Sequence, residues 1–187
     1  MLPILLGGSG LILASLYMQG PTNNVRVRSN LDNKEYLVQN LPDKQEAANL
    51  LSKLKKNLQE IIDELKQTQH NPPYERLYAN FNPDVFEEND ITASTTSYSE
   101  NKGQKIIVCM RDKTKEPYPF IDENTIMFVL LHELAHLMTE SIGHTPEFWN
   151  NFRMLLQDCI KNGKYTPVNY TQNPVEYCGM TISDSPL

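Results

Sequence analysis

Basic residues are in the minority in this sequence of 187 residues, where 17 Lys and Arg stand against 23 Asp and Glu for a formal net charge of -6. A broad phosphate-binding surface needs clustered Lys and Arg, and no cluster is present, so direct nucleic-acid binding is not expected. Cysteine is also scarce. Cys109, Cys159 and Cys178 are an odd number at wide spacings with no CxxC pair, which excludes a disulfide scaffold of the dense kind. The expectation is reduced thiols in a cytosol-like compartment. Internal repeats and low-complexity tracts are missing as well. A chain of this length has room for one domain with an adequate core.

Long uncharged runs are limited to residues 2–18, Leu-Pro-Ile-Leu-Leu-Gly-Gly-Ser-Gly-Leu-Ile-Leu-Ala-Ser-Leu-Tyr-Met. This length sits at the lower limit for a helix spanning a bilayer core, and small residues are tolerated in such spans. A signal peptide would carry Lys or Arg ahead of the apolar stretch and an A-x-A site behind it, and neither is evident. A buried strand is the third option. The reading favours a membrane anchor over residues 1–20. Arg26, Arg28 and Lys34 follow it, so the positive-inside bias places the remainder, 21–187, on the cytoplasmic side.

Alternation over Val25 to Ser29 and Glu35 to Val38 predicts a short hairpin. From Asp43 to about Gln69, apolar residues at three- and four-residue spacings predict a long amphipathic helix, stopped by Asn71-Pro72-Pro73. Its leucine stripe is the packing face of a monomeric domain rather than a coiled coil. His70 reads as a solvated helix-end residue. Tyr74 to Asp90 reads as irregular, with Glu87-Glu88-Asn89-Asp90 as a solvated acidic loop. Thr92 to Ser99 and Gln104 to Arg111 read as two strands, the polar first one nearer an edge and the apolar second one internal. Asp122 caps a buried helix running from Glu123 to about Ser141 and ended by Gly143. Thr145-Pro146 starts another that reaches Gly163. The tail is irregular, with a short strand within Tyr177 to Ile182.

Three of the four histidines fall within His132-Glu133-Leu134-Ala135-His136-Leu137-Met138-Thr139-Glu140-Ser141-Ile142-Gly143-His144. On a helix, residues four apart project from one face about one turn apart, so His132 and His136 can share a metal ion. Glu133 lies about 100° round, where its carboxylate reaches a water on that metal without being a ligand. Burying two histidines and a glutamate in so apolar a helix is costly unless they are paired, and one divalent ion satisfies all three. The bland alternative is core histidines held by backbone carbonyls. For a third ligand, His144 follows a helix-ending glycine and competes with Glu140 and Glu147. Ligand type and turn geometry favour His144.

His132-Glu133-Leu134-Ala135-His136 with Gly143-His144 and Phe148-Trp149 resembles the WLM and SprT-like zinc metallopeptidases. It is also similar to uncharacterised, N-terminally anchored metallopeptidases of large DNA viruses. The resemblance covers about Ile126 to Leu156. It implies an α+β, compact zincin-like domain, with a small antiparallel or mixed sheet packed on an active-site helix and flanking helices, here preceded by an N-terminal hydrophobic helix. It further implies one Zn2+ per chain held by His132, His136 and His144, Glu133 as general base, and a protein or peptide substrate. Cellular relatives of this kind include proteases acting on DNA–protein crosslinks, whereas this chain is acidic and has no basic extension. Tyr170 or Tyr177 could supply a phenol to the oxyanion, or could simply cover the core. The edge of Thr92 to Ser99 is the expected path of an extended substrate. Two other classes remain: a catalytically inactive, zinc-stabilised, membrane-tethered interaction protein, and a scaffold built on the leucine-rich helix. The first has no need of Glu133.

Overall fold

In the computed structural model, residues 23–100, 103 and 105–187 are described. Strands β1 (Asn24–Arg28) and β2 (Glu35–Gln39) form the expected hairpin, with Val25 opposite Val38 and Val27 opposite Tyr36. Helix α1 (Lys44–Leu65) follows. Its buried residues Ala47, Leu51, Leu54, Leu58, Ile61, Ile62 and Leu65 make the stripe that covers the sheet, which is the role of an amphipathic face. Asp43 stands at the N-cap position, but its carboxylate makes no cap bond and turns to Arg111 instead.

The region taken as irregular holds two elements. Asn71-Pro72-Pro73 is a start signal as well as a stop: the Asn71 side chain accepts from the Tyr74 N–H, and proline fits the first turn, so helix α2 (Pro72–Asn80) begins there. Strand β3 (Phe86–Glu88) then enters the sheet through the acidic run. Glu88 is buried rather than solvated because Arg111 reaches it, Nε to Oε1 at 2.8 Å. Strand β4 runs only from Tyr98 to Glu100, where Thr92 to Ser99 was expected. The Asn89 amide donates to the Thr95 and Thr96 carbonyls and the Asp90 carboxylate accepts from the Thr92 N–H, so the preceding residues are held as a loop.

With β5 (Lys105–Val108) the sheet has the order β1-β2-β3-β5-β4, parallel at β2/β3 and β3/β5 and antiparallel at its two ends. The apolar β5 is internal and the polar β4 lies at an edge, as expected. Gly103, in the β4–β5 turn, has φ +99, and a Cβ there would collide with the Asn80 carbonyl at the end of α2.

Helix α3 (Glu123–Met138) is capped by Asp122, whose carboxylate accepts from the Thr125 N–H. It ends at Met138, short of Ser141. The Glu147 carboxylate takes the N–H groups of Glu140 and Ser141, which pulls that segment out of the helical ladder. Helix α4 (Pro146–Lys161) is capped by the Thr145 hydroxyl, and β6 (Val175–Tyr177) and β7 (Met180–Ile182) form a C-terminal hairpin. The result is an α+β fold with four helices and a small mixed sheet among the described residues.

Two further expectations need correction. Cys109 and Cys178 are joined by a disulfide with Cα atoms 6.3 Å apart, because the hairpin returns to the end of β5; Cys159 stays a buried thiol. Wide spacing in sequence says nothing about this proximity. The membrane-anchored, single-pass placement is overturned as well: among the described residues no helix is long and apolar enough to cross a membrane, and no N-terminal apolar helix is found. The most apolar helix, α3, has 16 residues and so a length of about 24 Å, below the roughly 30 Å of a bilayer core, and it carries charged and imidazole groups. The stretch 1–20 assigned to the anchor lies outside the described residues.

Candidate active site

Helix α3 places His132 and His136 one turn apart, with their Nε2 atoms at 3.2 Å. After the helix ends, Gly143 takes φ +83, a left-handed conformation that turns the chain so that His144 comes back over the same point. Its Nε2 lies 3.0 Å from that of His132. The loop carrying His144 is pinned from three sides. Glu147 accepts from the Glu140 and Ser141 N–H groups and the Ser141 hydroxyl, and Thr145 caps α4. Arg76 of α2 donates to the Met138 carbonyl and to Glu140 at 2.7 Å, and to Glu147 at 3.4 Å. Glu140 and Glu147, the rival ligands, are thus engaged in holding the loop.

Aromatic rings make the bed of the cluster. Phe148 stacks on His136 with centroids 4.3 Å apart and meets His132 and His144 edge-on, each at 4.8 Å. Trp149 lies 5.9 Å from His144. Burial, together with the two neighbouring imidazoles, pushes His132 down to about 3, so its ring is neutral at physiological pH and presents lone pairs.

Three imidazoles crowd around one point. The ligand nitrogens all lie within 4.8 Å of one another. A tetrahedral ion with metal–nitrogen bonds of about 2.0–2.1 Å would separate its ligands by about 3.3 Å, close to the two contacts seen here. The donor set therefore fits a zinc-like ion with one position left for water or substrate.

Glu133 is buried beside this point. Its Oε2 accepts from the Ser99 N–H at 3.0 Å and the Ser99 hydroxyl at 3.1 Å. Burial raises it to about 7, against the pull of both Ser99 hydrogen bonds. A cleft of about 560 Å³ opens onto the histidines and Glu133, bordered by β4, by Phe128 and Val129 of α3, and by Tyr177 and Met180 of the hairpin. The Tyr177 hydroxyl donates to the Cys109 carbonyl at 2.7 Å and meets the Ser97 hydroxyl at 2.6 Å. Tyr170 is buried elsewhere, its ring 4.6 Å from that of Phe128, and does not border the cleft.

Ser99 and Arg76 escaped the sequence reading. No local pattern marks Ser99, whose role depends on where an edge strand meets α3. Arg76 would have been found by taking Asn71-Pro72-Pro73 as a helix start, which puts its guanidinium on an ordered element.

Comparisons with known proteins agree with this architecture. Residues 30–172, well over half of the chain, match the family model of the WLM domain. An uncharacterised protein of Acanthamoeba polyphaga mimivirus is 35% identical over 167 residues, covering 86% of this chain and 83% of that protein. An uncharacterised protein of Invertebrate iridescent virus 3 is 43% identical over 84 residues, 44% of this chain and 50% of its own length. Among solved structures, a crystal structure of a Wss1 mutant from Saccharomyces cerevisiae is similar in fold with a TM-score of 0.50 at 23% identity, covering 68% of this chain and 92% of that one. With the family match running from the β1–β2 turn through α4, and a relative alike over most of both lengths, this chain belongs to the WLM domain family, a metalloprotease-like family.

Proposed function

We propose that the protein is a zinc-dependent peptidase in which His132, His136 and His144 hold the ion and Glu133 is the general base. One observation carries the reading: three imidazole nitrogens converge in the same cleft as a buried carboxylate that is not among them. A zinc ion held there would supply a Lewis acid that brings the pKa of a water down to about 7. Ser99 engages only Oε2 of Glu133, which leaves Oε1 to take the proton from the attacking water and then deliver it to the departing amine. Neutral His132 and the aromatic bed under the cluster keep the ligand rings in place. A substrate strand would run along the open edge of β4, the edge on which the Ser99 N–H already meets Glu133. Of the two phenols, we assign Tyr177 as the oxyanion donor, since it borders the cleft; its proton would exchange the Cys109 carbonyl for the substrate oxygen.

A zinc-stabilised protein without activity gives no reason for an acidic side chain buried beside the histidines with no cation near it among the described residues. The test is direct. Wild type is expected to hold about one zinc per chain and to cleave an unfolded protein such as casein, while Glu133→Gln keeps the metal and loses cleavage. Wild-type protein that binds no zinc would overturn the proposal.

A further inference from the structure

We propose that the cleft selects a protein segment with a large apolar side chain beside the bond to be cut, and that Ile142 and Met180 determine this specificity; the inference rests on the peptidase reading above. Among the described residues the large hydrophobic side chains left exposed are Leu31, Ile142, Met180 and Leu187, and two of them border the same cleft as the histidines. Ile142 is 92% exposed and Met180 48%. Single exposed apolar residues carry no meaning, but these come from segments far apart in sequence and border one cleft, which Phe128 and Val129 of α3 also line.

Charge points the same way. Among the described residues no Lys or Arg lines the cleft, and the one carboxylate that does, Glu133, is engaged by Ser99. A charged substrate side chain entering there would lose hydration and gain no partner among the described residues, whereas an apolar one would remove its own surface and that of Ile142 and Met180 from water.

Both contacts are held in place. Met180 follows directly on the turn that the Cys109–Cys178 disulfide ties to the end of β5, and Tyr177 anchors the same hairpin through the Cys109 carbonyl and Ser97. Ile142 belongs to the loop fixed by Glu147 and Arg76. An unbranched thioether adapts to side chains of different shape, so the preference should be for large apolar residues as a class, with Leu, Met and Phe alike accepted.

The test uses the full chain loaded with zinc and a set of fluorogenic peptides that differ at one position among Leu, Phe, Ala, Asp and Lys, with the cut located by mass spectrometry. Leu and Phe next to the cleaved bond should exceed Ala in kcat/KM by about tenfold, and Asp and Lys should fall below Ala. In Met180→Asp and Ile142→Asp, zinc content and thermal transition should persist while the apolar preference drops to about threefold or less. The same peptides are also titrated onto zinc-loaded Glu133→Gln by fluorescence anisotropy, with and without Met180→Asp. Cleavage without apolar preference, or a preference that survives both Asp substitutions, overturns the inference and leaves the peptidase reading standing. Apolar-selective binding that Met180→Asp abolishes, in a wild type that cleaves nothing, supports the inference and counts against the peptidase reading. Neither cleavage nor binding overturns both.

Discussion

Arg111→Met is the perturbation that most directly probes the frame behind the site. Arg111 is 1% exposed; it donates to Glu88 Oε1 and to both oxygens of Asp43 at 2.8 Å, and to the Tyr118 carbonyl at 3.0 Å, with Phe120 4.2 Å from its guanidinium. Its loss falls unequally on the two carboxylates. The Asp43 side chain is 39% exposed and rehydrates, but that of Glu88 is 1% exposed and stays dry. Burial already raises Glu88, opposed by the Gln39 N–H and by Arg111. Without Arg111 only the Gln39 bond opposes burial. An uncompensated buried charge of this kind costs about 3–5 kcal/mol, unless the group takes up a proton. A carboxyl whose folded pKa is raised favours the folded state at low pH and loses that advantage as pH rises through the raised value. The deficit of Arg111→Met should therefore shrink as pH falls from 8 toward 5. Glu88→Gln in the same background keeps an acceptor for the Gln39 N–H and carries no charge, so it should recover about 2 kcal/mol. Urea unfolding followed by circular dichroism, with disulfide and zinc content held fixed, measures all three effects. A cost below about 1 kcal/mol, or a deficit independent of pH with no recovery in the double variant, would refute the reasoning.

Ser99→Ala removes the hydroxyl that shares Glu133 Oε2 with the Ser99 N–H, so kcat is expected to fall about three- to tenfold with KM and zinc content unchanged and with rescue in Ser99→Thr; unchanged kcat would remove Ser99 from the site. Asp32 is drawn upward by burial, but the Tyr36 hydroxyl, the Lys34 N–H and Lys55 outweigh this and bring it down to about 2 from an ordinary 3.8. That difference stabilises the fold above pH 4, by an amount that solvent screening reduces, and is lost as pH falls through 2, so the stability gap between wild type and Asp32→Asn should narrow over that interval in denaturant titrations. The disulfide closes a loop with a sequence separation of 69, worth about 4 kcal/mol on a chain-entropy estimate, so Cys178→Ser or reduction should lower the thermal transition markedly, while Cys159→Ser keeps the bond and should respond to reductant as wild type does. Stripping a bound metal with a chelator should lower the transition as well, and His144→Ala should abolish the difference between loaded and stripped protein.

The long helices were legible because each has a regular apolar period and a chemical start: Leu51, Leu54, Leu58 and Leu65 in α1, Asp122 before α3, and Thr145-Pro146 before α4. Residues 72–88 were not, since a proline pair is equally a stop and a first turn, and an acidic run looks solvated until its cation is found on another strand. The short β4 failed for a related reason. Asn89 and Asp90 compete for the backbone groups that a longer strand would have used.

For the site, the sequence by itself determined the helical presentation of His132 and His136, the place of Glu133 beside them, and the turn at Gly143 that frees His144 to return. These are consequences of spacing within one short stretch, where covalent connection limits the geometry. The tertiary structure alone decided what lies more than a turn away: Ser99 on Glu133, Arg76 and Glu147 on the loop, Tyr177 at the cleft with Tyr170 outside it, and the disulfide that fixes the hairpin. Each of those contacts joins elements that only the packing of sheet and helices brings together, so no local period or spacing in the chain encodes it.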